Sequence, residues 1–206
     1  MAQETPQGFI DVHAHIAPVS FLKEAQKSAK VFGVQVEETD AGHALTFPGL
    51  PTLRATGGSL SELETRAEWM KEQGVGSQYL AAWLDIQGYT MAPDREADWV
   101  RLLNEHMVQT AKGGGSAFRT IAAVPMQDGE RAARELEYAV KTLGMLGIML
   151  PSDPADVDVA DPNLEPLWAA AEDLDVPVML HGASHSKWPL VGPSFMAFSM
   201  GRTLDT

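Results

Sequence analysis

The sequence predicts an α/β protein whose core is a parallel β-sheet, either closed as a barrel or open and doubly wound. Short, almost continuously apolar segments alternate along the 206 residues with segments of helical period, as expected when helices cover both faces of such a sheet. Gly, Pro or polar turns separate these segments. The length suits one domain, and 45% hydrophobic with 21% charged residues is the balance of a globular protein.

The first elements are a strand, a helix and an insertion. Residues 9–15 are apolar enough for a buried strand, and residues 18–30 carry apolar side chains at helical spacing. Residues 31–58 alternate in short bursts that glycines interrupt, which predicts a β-hairpin and loop inserted into the main fold.

The rest of the chain repeats the order of helix and strand. Ser59 or Ser61 is expected to cap a helix, because acidic residues three positions later complete a capping box, and Gly74 ends it. The later strands are predicted at residues 78–84, 119–124, 147–150 and 176–180, and the later helices at residues 93–112, 130–143 and 164–174.

Two histidines at the end of the first predicted strand form the main candidate site. His13 and His15 project from the same face of a strand, about 6–7 Å apart along it. Phe9, Ile10 and Val12 are predicted to be buried and to hold the strand rigid. Two imidazoles in this arrangement can bind one metal ion.

A third histidine occupies an equivalent position. His181 follows the fifth predicted strand, and sites in parallel α/β proteins form at the carboxyl ends of strands. We therefore expect His13, His15 and His181 to converge. The weaker candidates are His43 in a turn of the insertion, where no role is expected, His106 in a helix, and His185 in a loop, as a candidate substrate contact.

The composition excludes several classes of function. The net charge of −13 and pI of 4.7 argue against binding to nucleic acid or to an anionic membrane surface, since such affinity comes mostly from Lys and Arg. The absence of Cys excludes disulfides, thiolate metal sites and a Cys nucleophile. No Gly-rich nucleotide-binding motif occurs. Neither a signal peptide nor a membrane span is predicted, so a cytoplasmic protein is expected.

Three parts of the chain together resemble the amidohydrolase superfamily. They are Ile10–Ile16 with its H-x-H pair, Val124–Gln127, and Leu164–Glu172 leading to Val178–His181. Within the superfamily they are similar to the metal-dependent decarboxylases that include aminocarboxymuconate-semialdehyde and γ-resorcylate decarboxylases. The resemblance extends over nearly the whole chain and implies a (β/α)8 TIM-barrel fold.

The resemblance also implies roles for individual residues. His13 and His15 match the metal-binding pair on the first barrel strand, and His181 matches the metal-binding histidine on the fifth. Arg54 is either a solvated loop residue or matches an arginine that binds the substrate carboxylate, for which a guanidinium is well suited. Trp188 lies one residue from a substrate-lining tryptophan. The fourth strand lacks the Lys or Glu that would bridge two metals, which implies one Zn²⁺ or Mn²⁺ ion.

The resemblance further implies an incomplete barrel. Members of the family add a sixth-strand histidine, which transfers protons, and an eighth-strand aspartate, whereas this chain stops at Thr206 after about five βα units. A full barrel usually needs about 250 residues. We expect residues 1–206 to form a single partial-barrel domain with residues 31–58 as its insertion. The catalytic histidine and aspartate are expected beyond Thr206, and the exposed strand edges should make this form poorly stable.

The predicted function is that of a metal-dependent carboxy-lyase, which decarboxylates a small unsaturated or aromatic carboxylic acid without oxidation. One alternative is hydrolysis of a lactone or amide by metal-activated water. A second is an inactive fragment that acts only as a subunit partner. A deoxyribonuclease of the same superfamily also begins with H-x-H, but the acidic charge argues against it. The full-length form is expected to be a homodimer with a small carboxylate substrate.

Overall fold

Parallel strands form the centre of two units of the chain. The computed structural model describes residues 8–152 and 157–182 of the sequence. Within this part, the first unit comprises the chain up to Ile86 with Leu102–Ile121, and the second comprises Gln87–Arg101 with the chain from Ala122 onward.

Each predicted strand and helix overlaps an element of the structure. The strands are β1 (Phe9–Ile16), β2 (Gln35–Thr39), β3 (Gly42–Thr46), β4 (Val75–Ala82), β5 (Phe118–Ile121), β6 (Ile148–Pro151) and β7 (Val178–His181). The helices are α1 (Val19–Lys27), α2 (Ala29–Phe32), α3 (Leu63–Glu72), α4 (Pro93–Gly113), α5 (Gly129–Lys141) and α6 (Glu165–Asp173).

The first unit contains a three-stranded parallel sheet in the order β1–β4–β5. The central strand β4 is the best buried, with Leu80, Ala81 and Ala82 each at most 1% exposed. The carboxyl half of β4, residues 79–82, is apolar, as expected for a parallel strand covered on both faces. The carboxyl ends of β1 and β4 therefore lie side by side, with His15 paired to Ala81.

A separate two-stranded antiparallel sheet, β2 and β3, occurs within the segment expected to be an insertion. Its turn ends at Gly42, whose φ of +112° favours glycine. A Cβ at this position would lie 2.0 Å from the Thr56 carbonyl oxygen, so the close approach of the two backbones also requires glycine.

The second unit contains the parallel pair β6 and β7. Ala122, the residue after β5, forms an isolated parallel bridge with Ile148 of β6. α5 packs against α6, and its first turn is capped by Asp128, whose side chain accepts a hydrogen bond from the Arg131 N–H. The apolar helix faces and the fully buried β6 make up the core of this unit.

β1 differs from its prediction. Phe9, Ile10 and Val12 are 77%, 48% and 49% exposed, and Ile16 is the only residue of β1 that is buried. Among the described strands, β1 pairs with β4 alone, so the other edge of β1 has no described neighbouring strand. The prediction of a buried first strand is therefore wrong.

The start of α3 also differs from its prediction. The N-cap position is occupied by Glu62, which makes no side-chain capping bond. The Ser61 hydroxyl instead donates to the Ala17 carbonyl at 2.9 Å. The predicted cap at Ser59 or Ser61 is wrong because the hydroxyl of Ser61 binds the segment after β1 rather than the helix backbone.

α4 is the longest helix described, with 21 residues. Asp94 and Glu96 lie in its first turn and Lys112 in its last, which is the charge order that the helix dipole favours. Within residues 8–152 and 157–182, neither α4 nor any other helix combines the length and apolar character needed to cross a membrane.

Candidate metal centre

β1 contains a bulge at the histidine pair. Asp11 pairs with Gln78, but the next paired residue of β1 is Ala14, opposite Leu80. Three steps along β1 therefore match two steps along β4, and one residue of β1 is extra. Bulges redirect side chains and leave backbone groups without ladder partners. Here the N–H of His13 donates to Asp11 Oδ1 at 3.0 Å, which satisfies the backbone within the bulge.

The two imidazoles of β1 converge. His13 Nε2 and His15 Nε2 lie 3.2 Å apart, and the rings meet edge to face with centroids 5.1 Å apart. Nitrogens bound to one tetrahedral Zn²⁺ at about 2.0–2.1 Å would be about 3.3–3.4 Å apart. The spacing of this pair thus fits two ligands of a single ion, and the rings are closer than the strand rise alone would place them.

The second ring nitrogen of His15 has a backbone partner. His15 Nδ1 lies 3.3 Å from the Ala82 carbonyl oxygen at the end of β4. Because a carbonyl can only accept, Nδ1 is the donor in this contact, and in a neutral imidazole this leaves the lone pair on Nε2. Histidines that bind metal through one nitrogen usually donate from the other in this way.

His181 has the same arrangement in the second unit. It is the last residue of β7 and half-buried, and its Nδ1 lies 2.8 Å from the Gly182 carbonyl oxygen. Its own carbonyl accepts a hydrogen bond from Ser152 N–H at 2.8 Å, which fixes the strand end. His185 and Trp188 lie outside the described residues.

Arg54 lies against an aromatic ring at the end of β4. Its guanidinium is 5.0 Å from the centre of the Trp83 ring, and Trp83 itself is buried. Stacking on Trp83 restricts the position of the guanidinium. Because the arginine side chain is exposed, its N–H groups can still donate hydrogen bonds to an anion.

A hydrogen-bonded network of Asp11, Gln78 and Arg66 contacts the backbone of the histidine pair. Gln78 Nε2 donates to Asp11 Oδ2 at 2.7 Å, and Gln78 Oε1 accepts from Arg66 Nη1 at 3.3 Å. Arg66 Nη1 also donates to the His15 carbonyl at 3.0 Å. Burial lowers the pKa of Arg66, and the nearby charge of Asp11 opposes this shift.

The sequence reasoning assigned no role to this network. Asp11 lies two residues before His13, and a short carboxylate in that position can accept from the backbone two residues later. That spacing was the available signal for Asp11. Gln78 and Arg66 offered no such signal, because their roles depend on how β1 pairs with β4.

The second unit contains a buried carboxyl group. Glu96 is fully buried and accepts hydrogen bonds from Met126 N–H at 3.2 Å and Gln127 Nε2 at 3.3 Å. Burial raises the pKa of Glu96 to about 8, although these two hydrogen bonds and a third from the Gln127 backbone oppose the shift. Gln127 Nε2 also donates to the Tyr89 carbonyl at 2.9 Å, so the group joins the segments after β4 and β5.

Two further histidines of the first unit are His106 and His43. His106 Nδ1 lies 2.9 Å from Ser20 Oγ, and burial is the main cause that lowers the pKa of His106. His43 belongs to β3 and is 5% exposed. The geometry of these two residues gives them no evident part in metal binding.

Comparison with known proteins identifies similar sequences. A family model described as amidohydrolase matches residues 10–203. The 2-amino-3-carboxymuconate-6-semialdehyde decarboxylase of Dictyostelium discoideum is 25% identical over 187 residues, which cover 91% of this chain and 51% of that protein. The γ-resorcylate decarboxylase of Polaromonas sp. is 32% identical over 124 residues, covering 57% and 38%. The chain thus spans about half the length, or less, of these relatives.

Solved structures show the same fold. A 5-carboxyvanillate decarboxylase from Sphingomonas paucimobilis superposes with a TM-score of 0.71 at 18% identity, covering 98% of this chain and 61% of that one. A dihydroxybenzoic acid decarboxylase from Polaromonas sp., solved with manganese and 2-nitroresorcinol, gives a TM-score of 0.62 at 24% identity, covering 97% and 59%. The barrel-type α/β fold that the resemblance implied is confirmed.

Proposed function

Because this chain belongs to the amidohydrolase family, we propose that it acts as a metal-dependent carboxy-lyase on a small unsaturated or aromatic carboxylic acid. The observation that carries the proposal is the 3.2 Å separation of His13 Nε2 and His15 Nε2. Two imidazole nitrogens at this distance fit a divalent ion, and decarboxylases are prominent among the similar proteins.

His13, His15 and His181 are proposed to hold one ion, either Zn²⁺ or Mn²⁺. In His15 and His181 a backbone carbonyl lies beside Nδ1, which leaves Nε2 as the ligand nitrogen in both. Imidazole suits Zn²⁺ and related transition metals. When bound, the ion would act as a Lewis acid that polarises a substrate oxygen.

Arg54 is proposed to bind the substrate carboxylate. Trp83 supports the guanidinium from one side, so the planar group can present two parallel N–H donors to a carboxylate. Trp83 directly follows β4, whose end lies beside that of β1. Arg54 would therefore orient a carboxylate substrate at the same end of the sheet as the histidine pair.

Product analysis tests the reaction. We expect the chain, in a form that also carries the expected sixth-strand histidine and eighth-strand aspartate and is loaded with Zn²⁺ or Mn²⁺, to release CO₂ from a hydroxybenzoate. One such acid is 2,6-dihydroxybenzoate, the ligand of a structurally similar decarboxylase. Arg54→Met should raise KM about tenfold or more, because a charged hydrogen bond is lost. Arg134→Met, which changes an exposed arginine on α5, is the matched control. If that metal-loaded form releases no CO₂ from any such acid, the proposal is contradicted.

Hydrolysis of a lactone or amide is the second candidate, because the matching family is described as amidohydrolase. The same metal site would serve it, since a bound ion can also activate water. Ring opening of a lactone without CO₂ release would favour this candidate over decarboxylation.

A further inference from the structure

We infer that Asp11, Gln78 and Arg66 form a positioning device that holds both histidines of β1 in their metal-binding geometry. This inference rests on the proposed function, since it concerns residues that would hold the same ion. It adds three side chains that neither contact the metal nor belong to the substrate site.

The chemistry of the three groups fixes the direction of every hydrogen bond. The Asp11 carboxylate can only accept and the Arg66 guanidinium can only donate. Gln78 lies between them, so its Nε2 must face Asp11 and its Oε1 must face Arg66, as the distances of 2.7 and 3.3 Å require. The amide of Gln78, which is 5% exposed, thus links an anion to a cation without contact between them.

Each end of this hydrogen-bonded network contacts the backbone of one histidine. Asp11 Oδ1 accepts from the His13 N–H at 3.0 Å, within the bulge. Arg66 donates to the His15 carbonyl at 3.0 Å and to the Ser59 carbonyl. The backbones of both ligands are therefore fixed by one network, and a regular strand would not need it.

The bulge explains why such a device is needed. One extra residue in β1 releases His13 from the hydrogen-bond ladder with β4. Without Asp11 the His13 N–H would need another partner, and the ring of His13 would lose its fixed direction. Metal affinity depends on such supports, and their loss typically weakens binding about 10–100-fold.

Zn²⁺ affinity of single variants tests the inference. Competition with a chromophoric chelator should show affinity weakened about 10–100-fold in Asp11→Ala and in Gln78→Leu. Asp11→Asn should lose less than Asp11→Ala, because its Oδ1 can still accept from the His13 N–H. Gln35→Leu, an exposed position on β2, is the matched control and should bind as wild type does.

A measurement without metal separates this inference from the proposed function. Amide hydrogen exchange at His13 in the metal-free chain should be faster in Asp11→Ala than in wild type, while thermal unfolding shows that each variant is folded. Variants that bind Zn²⁺ within about twofold of wild type, with unchanged His13 exchange, would overturn the inference. A wild-type chain that binds no Zn²⁺ would contradict the proposed function, and the exchange rates would still decide whether Asp11 holds the bulge.

Discussion

Glu96 shows how strongly burial can change the pKa of a single side chain. Its carboxyl group is fully buried and lies near Tyr89, whose own pKa is raised, chiefly by burial. With a pKa of about 8, the carboxyl is mostly neutral at pH 7. A neutral carboxyl can join the loops after β4 and β5 without the cost of burying a charge.

Glu96→Gln should change how stability depends on pH. The pKa of Glu96 is higher in the folded chain than its ordinary value of 4.5, so the folded state retains a proton that the unfolded state loses. Its contribution is complete below about pH 4.5 and is lost as pH rises to about 8, by at most about 1.4 kcal/mol per pH unit. Glutamine does not titrate.

Urea unfolding at several pH values measures this effect. The free energy of unfolding of Glu96→Gln, relative to wild type, should rise between pH 5 and 8 and then level off. Glu130→Gln, at an exposed carboxyl on α5, is the control. A difference that stays constant with pH would show that Glu96 is ionised in the fold.

Residue type and spacing made the histidine pair predictable, because a strand repeats every two residues. The supporting residues were not predictable in the same way. Gln78 and Arg66 are far from His13 in the sequence, and their roles follow from the register of β1 against β4. Trp188 remains a prediction, because it lies outside the described residues.

At the scale of elements, β1 is exposed at its amino end and carries the histidine pair towards its carboxyl end. Phe9, Ile10 and Val12 are exposed, whereas Ile16 is fully buried. Hydrophobic pattern predicted the strand itself, but exposure depends on which neighbours it has, and these are not written in its own sequence. The bulge escaped prediction for the same reason, since it is a property of a strand pair.

Ile10→Thr and Ile16→Thr should therefore differ although the chemical change is the same. Ile10 is 48% exposed, so its replacement should cost about 0.5 kcal/mol or less. Ile16 is 0% exposed, and burying a hydroxyl there with loss of packing should cost about 2–4 kcal/mol. Chemical denaturation measures both, and equal costs would show that β1 is covered along its length.

At the scale of the molecule, His13 and His15 belong to the first unit and His181 belongs to the second. The repeated βα order made the fold class predictable. The division into two units was not predictable, since it arises from contacts between residues that are distant in sequence. A metal that binds only the folded chain adds its binding free energy to folding.

Zn²⁺ should therefore stabilise the chain. At 100 times its Kd, it should raise the free energy of unfolding by about 2.7 kcal/mol, and a chelator should reverse this. His13→Ala should abolish the effect, whereas His106→Ala, which changes a histidine on α4 held by Ser20, should retain it. Thermal unfolding with and without Zn²⁺ provides the measurement, and an equal response in His13→Ala would exclude His13 as a ligand.

The bulge in β1 also limits how the histidine pair could be transferred to another protein by engineering. Grafting only the two imidazoles onto a flat host strand would copy their spacing in sequence but not the convergence of their rings. A successful transplant would have to carry the extra residue, the aspartate two positions before the first imidazole, and a glutamine on the adjoining strand.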